Sequence, residues 1–162
     1  MVPKSLKEEI QQSGPFDSLE AEAMLNIHRT ADQLQRAFQR TLKPYNLTGS
    51  QYNVLRILRG AGVDGLRCSA IGERMVSHDP DITRLLDRLD QRKLIWRRRS
   101  DQDRRVVFAT ITRAGLELLK DLDPVVKRQG KVMLQHMSPP DLESLIHLME
   151  EVRGGSEAEK QL

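Results

Sequence analysis

Along the first quarter of the chain, apolar residues return at helical intervals. Ala23, Ile27, Ala31, Leu34 and Phe38 share one face of a helix that starts near Phe16. Pro44 ends it, because the residue before a proline avoids the helical region. Thr48 and Gln51 form a capping box that opens a second helix with Tyr52, Leu55 and Leu58 on one face. Gly60, Gly62 and Gly65 break that pattern, and a short third helix runs from about Ser69 to Val76. Asp79 as N-cap and Pro80 at the first helical position predict a fourth helix, with Ile82, Leu85, Leu86 and Leu89 buried. The period then changes. Leu94–Arg99 and the β-branched run Val106–Ile111 read as two strands around a polar turn, the only hairpin the pattern predicts. Thr112 caps a fifth helix with Leu116, Leu119, Leu122 and Val126 as its apolar positions. Ser138-Pro139 starts a sixth, striped by Leu142, Leu145, Ile146, Met149 and Val152 and stopped by Gly154-Gly155.

This is a mainly α pattern with one small β-hairpin. Residues 1–15 read as a flexible arm and 156–162 as a disordered tail. The chain has 162 residues, enough for one ordinary domain, and is 38% hydrophobic and 30% charged. Long apolar stripes on the outer helices exceed what a single small lobe can cover, so a second copy is expected.

Net charge is only +3, but it is unevenly placed. Between Arg92 and Arg105 seven arginines and lysines stand against two aspartates, a local +5. The rest of the chain is therefore net negative. A basic stripe that follows two short helices joined by a tight turn has the order of a helix-turn-helix followed by a wing.

From Leu47 to Gly115 the sequence resembles the MarR family of multiple-antibiotic-resistance-type regulators. The resemblance lies in Leu47-Thr48 with Gln51-Tyr52 and Val54-Leu55, and in Ile82-Thr83-Arg84-Leu85-Leu86-Asp87-Arg88-Leu89. It continues in Leu94-Ile95 with Arg97, in Asp103-Arg104-Arg105, and in Ile111-Thr112 with Gly115. It implies a dimeric winged helix-turn-helix architecture. Residues 16–44 would be a dimerisation helix, 45–115 the DNA-binding lobe, and 116–155 the C-terminal dimerisation helices. Two positions depart from the family pattern. Gly72 stands where alanine is usual, at a cost of up to about 1 kcal/mol to that helix. Trp96 stands at a wing position that is often polar, and is expected to pack on the hairpin.

The implied function is sequence-specific binding of double-stranded DNA at an inverted-repeat operator, by a cytoplasmic repressor released by a small effector. In the recognition helix the candidates are Ser77, Pro80, Asp81, Thr83, Arg84 and Arg88. Arg84 and Arg88 can form bidentate bonds to guanine, or can contact phosphate or pair with Asp87. Asp81 caps the helix in preference to contacting DNA. In the wing the candidates are Arg97, Arg99, Asp103, Arg104 and Arg105. The resemblance implies that Asp103 braces Arg105, which enters the minor groove; Arg104 is the alternative. In a strand-like segment these two side chains would share a side. A small aromatic or phenolic effector would lie near His28, Arg29, Tyr45 and Tyr52.

Other chemistries find little support. Cys68 is the single cysteine and is read as inert; a thiol redox sensor is the alternative, as is a winged-helix architectural module without operator specificity. His28, His78, His136 and His147 show no metal-ligand spacing, so neither metal nor cofactor is expected. No phosphate loop, nucleophile elbow or acid–base pair suggests an enzyme. No apolar run reaches membrane-spanning length, and no membrane partner is expected.

Overall fold

The computed structural model describes residues 4–77, 81–100, 102–103 and 105–158, with side chains described as far as 155. Two compact units emerge, Met1–Asp123 and Pro124–Leu162.

In the first unit, the segment expected to be an arm contains a short helix, α1 (Leu6–Glu9). Ser5 and Glu8 close a capping box around its start, and Leu6 is buried, so local capping and one apolar anchor order it. Helix α2 (Leu19–Leu42) begins three residues later than Phe16, because Ser18 is the N-cap and accepts the Ala21 N–H. It stops ahead of Pro44, which lies in a 3-10 turn, Lys43–Tyr45, and Asn46 then turns the chain in the left-handed conformation. Helix α3 (Gly49–Ala61) opens on the Thr48–Gln51 capping box as the sequence requires. That box also satisfies Gln51, the one buried polar residue of the core among the described residues.

A two-residue strand, β1 (Leu66–Arg67), precedes α4 (Cys68–Glu73). Helix α4 is shorter than Ser69–Val76, because Val76 donates its N–H to Asn53 on α3 instead of continuing the helix. Helix α5 (Ile82–Gln91) is capped by Asp81. The cap expected at Asp79-Pro80 falls outside the described residues. Strands β2 (Ile95–Arg99) and β3 (Val107–Ile111) form the expected hairpin. Strand β1 adds to its other edge, giving a three-stranded antiparallel sheet in the order β1-β3-β2. The sequence pattern missed β1 because two residues cannot show alternation. Gly65, at φ +69°, makes its approach possible: a Cβ there would lie 2.3 Å from the Ala109 carbonyl oxygen.

Helix α6 (Arg113–Leu134) follows, carrying Pro124 within it. Thr112 caps it, accepting the Gly115 N–H while donating its hydroxyl to the Lys93 carbonyl. The core of the unit gathers Leu42, Leu47, Val54, Leu55, Leu58, Ile71, Leu86, Leu89, Ile95, Ala109, Leu119 and Leu122, all essentially inaccessible. Each leucine so buried contributes about 1.5–3 kcal/mol relative to exposure. Arg59 pairs with Asp123 through two hydrogen bonds of 2.7 and 3.2 Å, fixing α3 to α6.

The second unit contains the end of α6 and α7 (Pro139–Ala158), with the Ser138 hydroxyl accepting the Asp141 N–H at its start. Gly154-Gly155 does not stop α7: the helix passes through both residues to Ala158. Glycine weakens a helix by about 1 kcal/mol but carries no steric bar to it. Several expected stripe residues remain exposed, namely Leu34 on α2, Leu116 on α6, and Ile146 and Val152 on α7.

The two glycines with the most opposed surroundings give a stability test. A Cβ at Gly115 would stand 2.3 Å from the Leu94 carbonyl oxygen and 2.8 Å from Ile111 Cγ1. Gly115→Ala is therefore expected to destabilise the fold by about 1–3 kcal/mol. Gly72 faces open space, so Gly72→Ala should stabilise it by up to about 1 kcal/mol. Urea unfolding followed by circular dichroism measures both; equal effects would refute the packing of α6 on the Leu94 turn.

Candidate nucleic-acid interface

Helix α5 is strongly two-sided. Leu85, Leu86 and Leu89 are buried, whereas Thr83, Arg84 and Arg88 are exposed. Asp81 governs its first turn. Its carboxylate accepts the Arg84 N–H at 3.1 Å and lies 3.0 Å from Arg84 Nε. One side chain thus caps the helix and steadies an arginine whose side chain is 79% exposed. The partner of Arg84 is Asp81, not Asp87. Arg88 forms no ion pair among the described residues. Ser77 is exposed ahead of the helix, and Pro80 falls outside the described residues.

At the far end of α5, Arg92 donates to the carbonyl oxygens of Asn46 and Tyr45, at 2.5 and 3.1 Å. The helix is therefore tied to the turn between α2 and α3. Lys93 takes a positive φ, and the chain enters β2.

Strand alternation then decides what each wing residue does. Ile95 points inward and is buried; Trp96 points outward and is 66% exposed; Arg97 points inward again. Trp96 therefore does not pack on the hairpin. Arg97 meets two carboxylates of α5, with Nη2 at 2.5 Å from Asp87 and Nε at 3.3 Å from Asp90. Burial opposes its charge, but the hydrogen bonds and charges of Asp87 and Asp90 prevail and raise the guanidinium pKa above its ordinary value. Arg97 thus braces the wing against α5. Asp87 and Asp90 were missed as its partners, although an arginine at an inward strand position signals a need for carboxylates.

Arg99 and Arg105 stand exposed at the outer end of the hairpin. The described residues between them close a turn, not a strand. Ser100 and Val106 close it through a 2.9 Å bond, and Val106 donates back to the Asp103 carbonyl. Asp103 accepts the Arg105 backbone N–H at 2.9 Å, so it sets the path of the chain at Arg105. Arg104 falls outside the described residues.

A cavity of about 810 Å³ opens between α2, α3 and residues 75–77. Phe38 and Tyr52 meet edge to face at 5.4 Å on its wall, and the Arg56 guanidinium stands 6.0 Å from the Tyr52 ring. Of the four residues expected around an effector, only Tyr52 lines it. His28 is exposed on α2 about one turn before Ala31, Arg29 pairs with Glu9, and Tyr45 lies in the 3-10 turn after α2. Cys68 opens α4, half-buried; burial pushes its thiol pKa up against the opposing pull of Arg97, which leaves little reactive thiolate.

A two-sided helix fixed to an arginine-tipped β-hairpin defines a winged helix-turn-helix DNA-binding regulator. A family model described as transcriptional regulator SarA/Rot matches residues 36–122, just over half of the chain. The HTH-type transcriptional regulator MhqR of Bacillus subtilis is 28% identical over 94% of this chain and 93% of its own. The crystal structure of a MarR transcription factor from Planctomyces limnophilus is 42% identical. It covers 84% of this chain and 98% of its own, with a TM-score of 0.67. A crystal structure of Staphylococcus aureus MepR with DNA shares the fold at a TM-score of 0.72, with 19% identity over 80% of this chain and 94% of its own. The chain belongs to the MarR family of transcription regulators, which bind DNA and are not enzymes. Among the described residues no helix is long and apolar enough to cross a membrane.

The brace is directly testable. Arg97→Ala leaves two carboxylates facing a half-buried gap and should cost about 1–2 kcal/mol of stability, moderated by solvent access to the pair. Duplex affinity should fall roughly tenfold, since a loosened wing must be ordered again on binding. Arg97→Lys should recover only part of both, because an ammonium cannot fork between two acids. Unchanged affinity for Arg97→Ala in a fluorescence anisotropy titration would contradict the bracing role.

Proposed function

We propose that this chain acts in the cytosol as a homodimeric repressor that reads an inverted-repeat operator and leaves it when a small aromatic or phenolic effector binds. The observation that carries the reading is the exposed set Thr83, Arg84 and Arg88 on a helix braced to the wing that bears Arg99 and Arg105. The N-terminal turns of a recognition helix meet base edges in the major groove, and Arg84 and Arg88 have the donor fork that guanine requires. The wing inserts Arg105, with Arg104 as the alternative, into the minor groove, where narrow A/T tracts attract arginine. Exposed apolar side chains on α2, α6 and α7 supply the surface that a second copy covers.

The cavity beside Tyr52 is the effector site in this reading, in place of His28, Arg29 and Tyr45. Aromatic walls and the Arg56 cation suit an aromatic acid. Its wall includes the 2.8 Å bond from the Val76 N–H to Asn53 Oδ1. An occupant that breaks this bond frees the segment leading into α5, which couples the cavity to the reading helix.

One operator-binding assay separates the parts. Arg84→Ala should relax base preference within each half-site, at about 1–3 kcal/mol of discrimination. Arg105→Ala should weaken binding to all sequences, reduce the salt dependence and blunt the preference for A/T flanks. A hydroxybenzoate series added to the same assay should weaken the parent's binding and affect Asn53→Ala less. Full sequence preference in Arg84→Ala, or an unaltered Arg105→Ala, would refute the assignment of reading head and wing.

A further inference from the structure

The brace and the core occupy the inner face of the wing sheet, and the DNA-reading proposal occupies its tip. The outer face is left over, and its composition is unusual. Register places Arg67, Phe108 and Arg98 in one row across β1, β3 and β2, and Thr110 beside Trp96 in the next. Arg67, Arg98 and Trp96 are exposed, and Phe108 and Thr110 are half-buried. No carboxylate occupies an outward position on these three strands.

We propose that this outer face, built by Arg67, Trp96, Arg98, Phe108 and Thr110, is a docking surface for an acidic protein segment that carries an apolar anchor side chain. Trp, Phe and Arg are the residues enriched at the centres of protein–protein interfaces, and Asp, Glu and Lys are depleted there. An indole that is 66% exposed offers a large apolar contact. Two arginines, one on each side of Phe108, surround it with positive charge that only an acidic partner complements.

A stacked single strand of nucleic acid suits the face less well. Stacking successive bases needs successive open rings. Here Trp96 is the one open ring. The Arg98 guanidinium stands 5.2 Å from the Phe108 centroid and covers it. Phosphate contact alone would leave the exposed indole without a purpose.

Trp96 is the only tryptophan of the chain, so its emission reports on this face directly. The test titrates the full-length protein with a synthetic peptide of aspartates and glutamates around a central leucine. The control arms are the same peptide with lysines for the acids, and an oligothymidine. The acidic peptide is expected to shift the emission to the blue and to saturate. Arg98→Glu should weaken that binding by roughly tenfold or more. Arg67→Glu with Arg98→Glu should transfer the response to the lysine peptide. Trp96→Ala, followed by calorimetry, should lose the acidic peptide while retaining operator affinity, which shows that the fold is intact. No saturable response up to millimolar acidic peptide overturns the proposal. So does an equal response to both peptides, or a response to oligothymidine alone.

Discussion

Arg97 carries its charge at an inward-facing strand position, and two carboxylates on a different element make that placement stable. Asp87 and Asp90 lie one helical turn apart on α5, so the planar guanidinium bonds both. A point charge on a flexible stem could not span them equally. The consequence is mechanical. The helix that presents Thr83, Arg84 and Arg88 and the hairpin that presents Arg99 and Arg105 are linked by a charged contact near the hairpin's base. Arg92 extends the same logic backward, tying the end of α5 to the turn between α2 and α3. Arginines at three consecutive strand positions thus have different surroundings, inward to carboxylates, outward over Phe108, and exposed at the wing tip.

Much of this fold could be read directly from residue order. Thr48 and Gln51 close a capping box in the structure as their spacing requires, Pro44 ends α2, and Thr112 caps α6. These are local effects, decided within one turn of chain. The readings that failed depended on distant contacts. Leu6 is buried, and nothing in residues 1–15 taken alone shows this. Strand β1 exists because Gly65 lets the backbone approach Ala109, a partner more than forty positions away. Gly154-Gly155 reads as a stop from propensity, but propensity is a weak force once a helix has propagated.

The candidate site was legible in outline and misread in detail, largely from one omission. Counting alternation from Ile95 places Trp96 outside and Arg97 inside; treating the arginine run as a uniform basic stripe hides both. Asp103 was expected to act on the side chain of Arg105, yet it holds the backbone, because Val106 donates back to the Asp103 carbonyl in a turn. Of the four effector candidates only Tyr52 lines the cavity: His28 lies on α2 about one turn before the cavity-lining Ala31, and Arg29 pairs with Glu9. Asn53, which anchors Val76, gave no signal at all in the sequence.

These contacts join α5 and the wing into one piece, and the cavity beside Tyr52 includes Met75, Val76 and Ser77 in its wall. The central claim is that this piece reads DNA sequence twice, through two copies related by a twofold axis. Selection of bound duplexes from a random pool tests it most directly. The account predicts enrichment of an inverted repeat whose half-sites lie about one helical turn apart, roughly 10 base pairs, flanked by A/T tracts. Equal recovery of all sequences, or enrichment of a single half-site without symmetry, would contradict it.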